Sequence, residues 1–305
     1  DKHGYFSLGI RVSTCKTLIK KAKKIYLEVN KYMPRIHGDS HIHISEIDAI
    51  CECDMPLPEL PIGELSETDR IIGNYIAELV PDGATIQLGI GGIPNAAAEA
   101  LHDKKDLGIH TEMFTESMID LIEKGVVTNT KKNIHKGKSL ATLALGTKRM
   151  YEFLDDNVGV EFYPVSYVND PNTIGAHDNF ISINACIEVD LFGQVCSESL
   201  GTKLYSGVGG QVDYVRGSAK SMGGKSIIAM YSTAKNNTIS KISSLLTEGS
   251  IVTTSRNEVD YIVTEFGVAK LKGESLSERA KTLINIAHPE FREQLLFDAM
   301  KMNLL

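Results

Sequence analysis

Ile86-Gln87-Leu88-Gly89-Ile90-Gly91-Gly92-Ile93-Pro94-Asn95 is the stretch whose reading decides the fold. Ile86 to Leu88 read as the end of a buried strand that follows the turn Pro81-Asp82-Gly83. The glycines read as a tight turn, and Pro94 as the first residue of a helix through Ala96, Ala97, Ala98 and Leu101. A strand, a glycine turn and a helix N-terminus together make a pocket for an anion or oxyanion. A dinucleotide fingerprint needs glycine where Pro94 stands, and a triphosphate loop needs a closing Lys-Ser or Lys-Thr that the turn lacks. The remaining use of the turn is to support a thioester carbonyl or a phosphate.

Leu107 to Glu112 reads as a second strand ending in a carboxylate, and Met113 to Lys124 as a helix. In an open α/β sheet, ligands gather at the carboxyl ends of the strands, so the glycine turn and Glu112 are expected on one edge. A glycine turn beside a carboxylate suggests acyl chemistry.

The chain of 305 residues is long enough for two domains or one large α/β domain. Its hydrophobic content of 42% with 23% charged residues is that of an ordinary soluble globular protein. No apolar run approaches the roughly 18 to 20 residues of a membrane helix. The net charge of −7 argues against a nucleic-acid partner. The basic run Lys16 to Lys24 reads as the solvated face of a helix whose apolar stripe is Leu18, Ile19, Ala22 and Ile25. Five cysteines without C-x-x-C spacing point to reduced thiols in a cytoplasmic protein, with neither zinc sites nor disulfides. His41 and His43 alternate onto one face of a strand, but no further ligand follows at helical spacing, so they read as structural and no metal is expected.

The proline-rich stretch Pro56 to Gly63 suits an interdomain linker, dividing the chain into residues 1–62 and 63–305. Before it, a helix is expected around Thr14 to Val29 and extended segments around Arg35 to Ile50. After it, Ser66 is expected to cap a helix from Glu67 to Leu79, with Asp69 in the first turn. Strands are expected at Val160–Val168, Phe180–Ile183, Ala185–Asp190, Ser226–Ser232, Ser250–Thr254 and Tyr261–Thr264, and helices at Leu276–Ile286 and Pro289–Met302. A carboxylate after Tyr261–Thr264, Glu265, could also cap a helix through Val268 to Leu271.

Several ordered blocks resemble the acetyl-CoA hydrolase/transferase family, most closely its 4-hydroxybutyrate or butyrate CoA-transferase branch. They are Met33-Pro34-Arg35 with His43 to Asp48, Gly89 to Pro94, Thr111-Glu112 with Leu121 to Gly125, Glu188 to Leu191 with Gly193-Gln194-Val195, Gly207-Val208-Gly209-Gly210, and Thr264 to Ala269. The likeness runs along essentially the whole chain. It implies two related open α/β domains, the first incomplete here, since Asp1 to Phe6 looks like the middle of the family's N-terminal domain. Where relatives carry Asp-Gly shortly after the catalytic glutamate this chain has Glu116-Ser117, and where many carry Asn it has Cys196.

The resemblance further implies Glu112 as nucleophile, backbone near Ile90 and Gly207 as oxyanion hole, and Glu265 close by as a second carboxylate that positions Glu112 and biases its protonation. Ile90, Gly91, Gly92, Gly207, Gly209 and Gly210 are the expected oxyanion and CoA-binding positions. A carboxylate suits CoA transfer because it can attack a thioester, give a mixed anhydride, and be reopened by the thiolate as a glutamyl-CoA thioester. The expected partners are acyl-CoA and short-chain carboxylates, with CoA as substrate rather than resident cofactor, in a homodimer or higher homo-oligomer of fermentative acetate metabolism. Two rival readings are an acyl-CoA hydrolase and a non-catalytic fragment.

Overall fold

A computed structural model describes residues 1–61 and 63–305. Its centre is a six-stranded sheet made of β1 (Thr85–Leu88), β2 (Gly108–Ile109), β3 (Phe180–Ala185), β4 (Lys225–Ala229), β5 (Tyr261–Thr264) and β6 (Gly267–Lys270). The spatial order is β6-β5-β4-β3-β1-β2. Every neighbouring pair is parallel except the edge hairpin β5–β6. Parallel strands are covered on both faces and so carry continuous apolar side chains rather than alternating ones. Ile86, Leu88, Ile181, Ile183, Ile227, Ile228, Ile262 and Val263 are accordingly all buried.

Helix α1 (Glu67–Leu79) packs on helix α2 (Gly92–Ala100). Gly73 allows the close contact, since a Cβ there would stand 2.6 Å from the carbonyl oxygen of Ala96. The start of α1 is a capping box: Ser66 Oγ accepts from the Asp69 N–H, and the Asp69 carboxylate accepts from the Ser66 N–H. Helix α3 (Glu116–Glu123), the short helix α4 (Val165–Val168) and helix α5 (Gln211–Lys220) carry or flank the residues of the site.

A smaller parallel sheet joins His37–Gly38, Val160–Phe162 and Ser139–Ala141. It takes two of its three strands from residues beyond Pro56 to Gly63, so the first 61 residues are stitched to the later chain by backbone pairing. The segment around Pro56 to Pro61 is irregular, and the Pro58 carbonyl accepts from Tyr151 Oη at 2.6 Å. Ile62, the last residue of the first expected unit, lies outside the described residues. Among the described residues no helix is long and apolar enough to cross a membrane.

Several expected elements differ. The helix expected over Thr14 to Val29 spans only Cys15–Lys21, buries no residue, and leaves Leu18 61% exposed. Tyr26–Val29 is instead a strand paired in parallel with Ala49–Glu52, because backbone pairing there outweighs the lysine-rich helical pattern. The strand expected to Val168 stops at Phe162, since Pro164 fixes a turn into α4. Asn184 does not break its strand: its side-chain amide pairs reciprocally with Gln87 at 3.2 Å, which lets β3 run on to Ala185. Gly267–Lys270 forms the hairpin strand β6 rather than a helix that Glu265 would cap. Among the described residues Ser250 to Thr254 contribute only a single bridge, Val195 to Thr254.

Candidate active site

Because β1 to β5 run parallel, the residues following them leave one edge of the sheet: the glycine turn after β1, Glu112 after β2, Tyr231 and Ser232 after β4, and Glu265 after β5. Helix α2 begins at Gly92 with Gly91 as its N-cap, two residues earlier than Pro94 suggests. Pro94 is then the third helical residue, where the missing N–H would have had no helical partner. Gly91 has φ 114° and ψ −177°, a backbone that favours glycine, and open space where a side chain would stand. At Gly92 a Cβ would meet Asp69 Oδ1 at 2.8 Å. Tyr231 Oη donates to that same oxygen at 2.6 Å. Burial, and then the hydrogen bond to Asp69, push the Tyr231 hydroxyl up to about 12, so it stays a donor.

Asp69, Gly91, Gly92 and Tyr231, with Ile90, Asn95, Thr115, Glu116 and Gly146, line a cavity of about 540 Å³. Ile90 is 57% exposed at its mouth. Glu116 is no free acid: Thr147 N–H and Oγ donate to it at 3.2 and 2.9 Å.

Glu112 sits on a segment pinned at both ends. His110 N–H donates to the Ile86 carbonyl, Thr111 N–H to Leu140, and the Glu112 carbonyl accepts from Thr142 and Leu143. The expected strand Leu107 to Glu112 is thus a short strand plus single bridges, and the expected helix begins at Glu116. The half-buried Glu112 carboxylate accepts one side-chain hydrogen bond, from Asn169 Nδ2 to Oε2 at 2.7 Å. Asn169 is itself held by Tyr214 Oη, which donates to Asn169 Oδ1 at 3.1 Å. Among the described residues Glu112 Oε1 has no hydrogen-bond partner, so one oxygen is fixed and the other free. Burial, followed by the Glu112 charge, raises Asp213 above the usual carboxylate range and Tyr214 well above the usual phenol.

The second glycine cluster meets Glu112 at one residue. A Cβ on Gly210 would lie 2.1 Å from Glu112 Oε2 and 2.5 Å from Asn169 Nδ2. Gly207 and Gly209 face open space, and Val208 is 81% exposed. Glu265 is brought to the other side of the edge. Ser232 N–H and Oγ donate to its two oxygens at 2.9 and 2.5 Å, and its charge opposes the effect of burial on Lys241. No hydrogen bond or ion pair joins Glu265 to Glu112 among the described residues. Their strands, β5 and β2, are four steps apart, about 19 Å at the usual strand spacing.

Asn169, Tyr214 and Tyr231 were not expected from sequence, and Asp69 was expected only in the first turn of α1. Asn169 lies in Asn169-Asp170-Pro171, which signals only a helix start, and Tyr214 belongs to the ordinary apolar face of α5.

A carboxylate with one oxygen unpartnered among the described residues, a glycine loop pressed against it, and a glycine turn at a helix N-terminus on the same sheet edge are groups of the kind that acyl transfer uses. The chain belongs to the acetyl-CoA hydrolase/transferase family: the model of the C-terminal domain matches residues 146–299 and that of the N-terminal domain residues 1–61. It is 55% identical over 303 residues to the succinyl-CoA:cyclohexane-1-carboxylate CoA transferase of Geobacter metallireducens, covering 99% of this chain and 69% of that protein. It is 52% identical over 301 residues to the 4-hydroxybutyrate coenzyme A transferase of Clostridium kluyveri, covering 99% of this chain and 70% of the relative. Among solved structures, RipA from Yersinia pestis superposes with a TM-score of 0.96 at 46% identity, covering all of this chain and 69% of RipA. A 4-hydroxybutyrate CoA-transferase from Porphyromonas gingivalis gives 0.90 at 44% identity, covering 99% of this chain and 72% of that one.

Proposed function

We propose that the protein moves CoA between a short-chain acyl-CoA and a carboxylic acid such as acetate, with Glu112 as the nucleophile and a glutamyl-CoA thioester as the intermediate. The carrying observation is the Glu112 carboxylate, whose Oε2 is held by Asn169 while Oε1 has no partner among the described residues. Oε1 attacks the thioester carbonyl carbon, the C–S bond breaks, and CoA thiolate leaves a mixed anhydride on Glu112. The thiolate then attacks the glutamyl carbon and releases the first carboxylate, so the thioester bond energy is kept. An acceptor carboxylate attacks the glutamyl thioester, the thiolate leaves and returns to the acceptor's acyl carbon, and Glu112 is regenerated without net proton change.

Each tetrahedral intermediate needs N–H groups aimed at its oxyanion, one such donor being worth about 10²–10³ in rate. We assign that work to the turn Ile90, Gly91 and Gly92 and to the loop Gly207, Gly209 and Gly210. Helix α2 supports the first assignment, because its opening N–H groups lack helical partners. Glu265 is given a supporting role through Ser232. A homo-oligomeric, cytoplasmic enzyme without a resident cofactor belongs to the same reading, as does a division into an N-terminal-domain portion over residues 1–62 and a C-terminal domain over 63–305.

The test is mass spectrometry after incubation with acyl-CoA and no acceptor. CoA should be found on the peptide containing Thr111-Glu112-Met113, and Glu112→Gln should abolish it while Glu123→Gln keeps it. An adduct on Glu265, or native turnover by Glu112→Gln, overturns the assignment. Steady CoA release without any carboxylate acceptor would make the protein a hydrolase instead.

A further inference from the structure

Behind Glu112 lies a pair of fully buried histidines that the transfer steps do not use. His110 and His177 are both 0% exposed. His110 Nε2 stands 2.7 Å from the Val168 carbonyl, and His110 Nδ1 stands 3.1 Å from His177 Nε2. A carbonyl only accepts, so His110 Nε2 carries its proton; the neutral ring then offers Nδ1 as acceptor, and His177 Nε2 must be the donor. His177 Nδ1 is the end of the chain, buried and without a partner among the described residues. Phe180 closes the packing, edge-on to His110 and stacked on His177.

Burial, with His177, Lys132 and His135 adding to it, holds His110 well below the usual imidazole range. Burial, then Lys132 and His135, bring His177 down to about 3. Both rings therefore stay neutral, and the donor order just described is fixed.

The position of the clamped carbonyl gives the pair its consequence. Val168 is the last residue of α4, and its carbonyl belongs to the peptide bond that leads into Asn169, the residue whose Nδ2 holds Glu112. His110 is two residues before Glu112 on the same extended segment, pinned to β1 through its own N–H. One imidazole thus ties the backbone bearing the carboxylate to the peptide bearing the amide that orients it.

We propose that His110, whose Nε2–H donates to the Val168 carbonyl while His177 donates to its Nδ1, is a positioning residue that sets the angle between Asn169 and the Glu112 carboxylate and so keeps Oε1 aimed at the thioester. The proposal rests on Glu112 being the nucleophile, and its test separates the two ideas. His110→Leu removes the donor at similar bulk, whereas His110→Gln restores an N–H that reaches Val168. His110→Leu should lower kcat about 100-fold, the scale expected from misplacing a reacting group by about an ångström, with KM for acyl-CoA changed less than about threefold; this is the effect of disturbed geometry. His110→Gln should recover at least tenfold of that loss. Equal kcat losses in the two variants, tracking equal losses of Tm, overturn the proposal and leave His110 a packing residue.

Nitrogen-15 NMR gives a readout independent of turnover. Both imidazoles should show the Nε2–H tautomer from pH 5 to 8, and His110 should keep it in His177→Phe, where the Val168 carbonyl still requires the proton. A His110 that titrates in that range, or carries its proton on Nδ1 in the unaltered protein, sinks the idea. Should Glu112→Gln keep native turnover, the nucleophile assignment fails while the tautomer result still stands or falls by itself.

Discussion

At Gly210 the absence of a side chain is a chemical requirement, since the nearest atom to a built Cβ is Glu112 Oε2 at 2.1 Å. Gly209, one residue before it, meets nothing within 4 Å. Sequence reading treats Gly207, Gly209 and Gly210 alike, because a glycine cluster reveals where the backbone is bare but not which residue faces the carboxylate. The two positions should separate on substitution. Gly210→Ala must push the Glu112 carboxylate or Asn169 aside and is expected to lose about 100-fold in kcat. Gly209→Ala is expected to keep the native Tm and stay within about fivefold in kcat, as its methyl enters open space. Equal kcat values for the two variants would show that the Gly210 contact has no bearing on the reaction.

Among the elements, helix α1 was legible to the residue: Ser66 followed three positions later by Asp69 marks a capped start, and both the start at Glu67 and the end at Leu79 hold. The same was true of β5 at Tyr261–Thr264, an apolar run bounded by polar residues. Local chemistry determines both. The errors fell where a distant partner decides the outcome. Tyr26–Val29 became a strand because Ala49–Glu52 pairs with it, and Val165–Val168 became a helix after Pro164. Of the candidate site, Glu112 and the two glycine segments carry a signal in the sequence, whereas Asn169 carries none, because its contact with Glu112 exists only once the fold closes a 57-residue span. Helix α1 also reaches the site through Asp69, which joins its cap to Tyr231 and to Gly92. Ser66→Ala should therefore lower stability by about 1 kcal/mol, the usual worth of such a cap, read as a shift in the urea midpoint. An unchanged midpoint would mean that Tyr231 alone holds Asp69.

The whole molecule carries an acid liability in its buried neutral bases. His177 is held at about 3 in the folded state against about 6.5 when unfolded, so the unfolded chain binds the extra proton between those values. Stability from this group is complete above about pH 6.5 and is lost as pH falls toward 3, at about 1.4 kcal/mol per pH unit. Lys132, brought down to about 7 by burial, works in the same direction at higher pH, with stability rising from about 7 toward 10. Urea midpoints measured from pH 7 to 4.5 should fall more steeply for the native protein than for His177→Phe, and parallel curves would refute the linkage. The parallel order of the main sheet has a last consequence, in time rather than in space. Its outer strands come from residues 108–109 and 267–270, so the sheet that bears the site is one of the most non-local features of the chain. Such pairings form slowly, because the long loops must close before any contact rewards them. A ribosome making this chain exposes Glu112 while the residues that will orient and confine it, Asn169 and Gly210, are still to be added. The carboxylate therefore spends that stage of synthesis in solvent, and its contacts with Asn169 and Gly210 form only when the later part of the chain has folded against it.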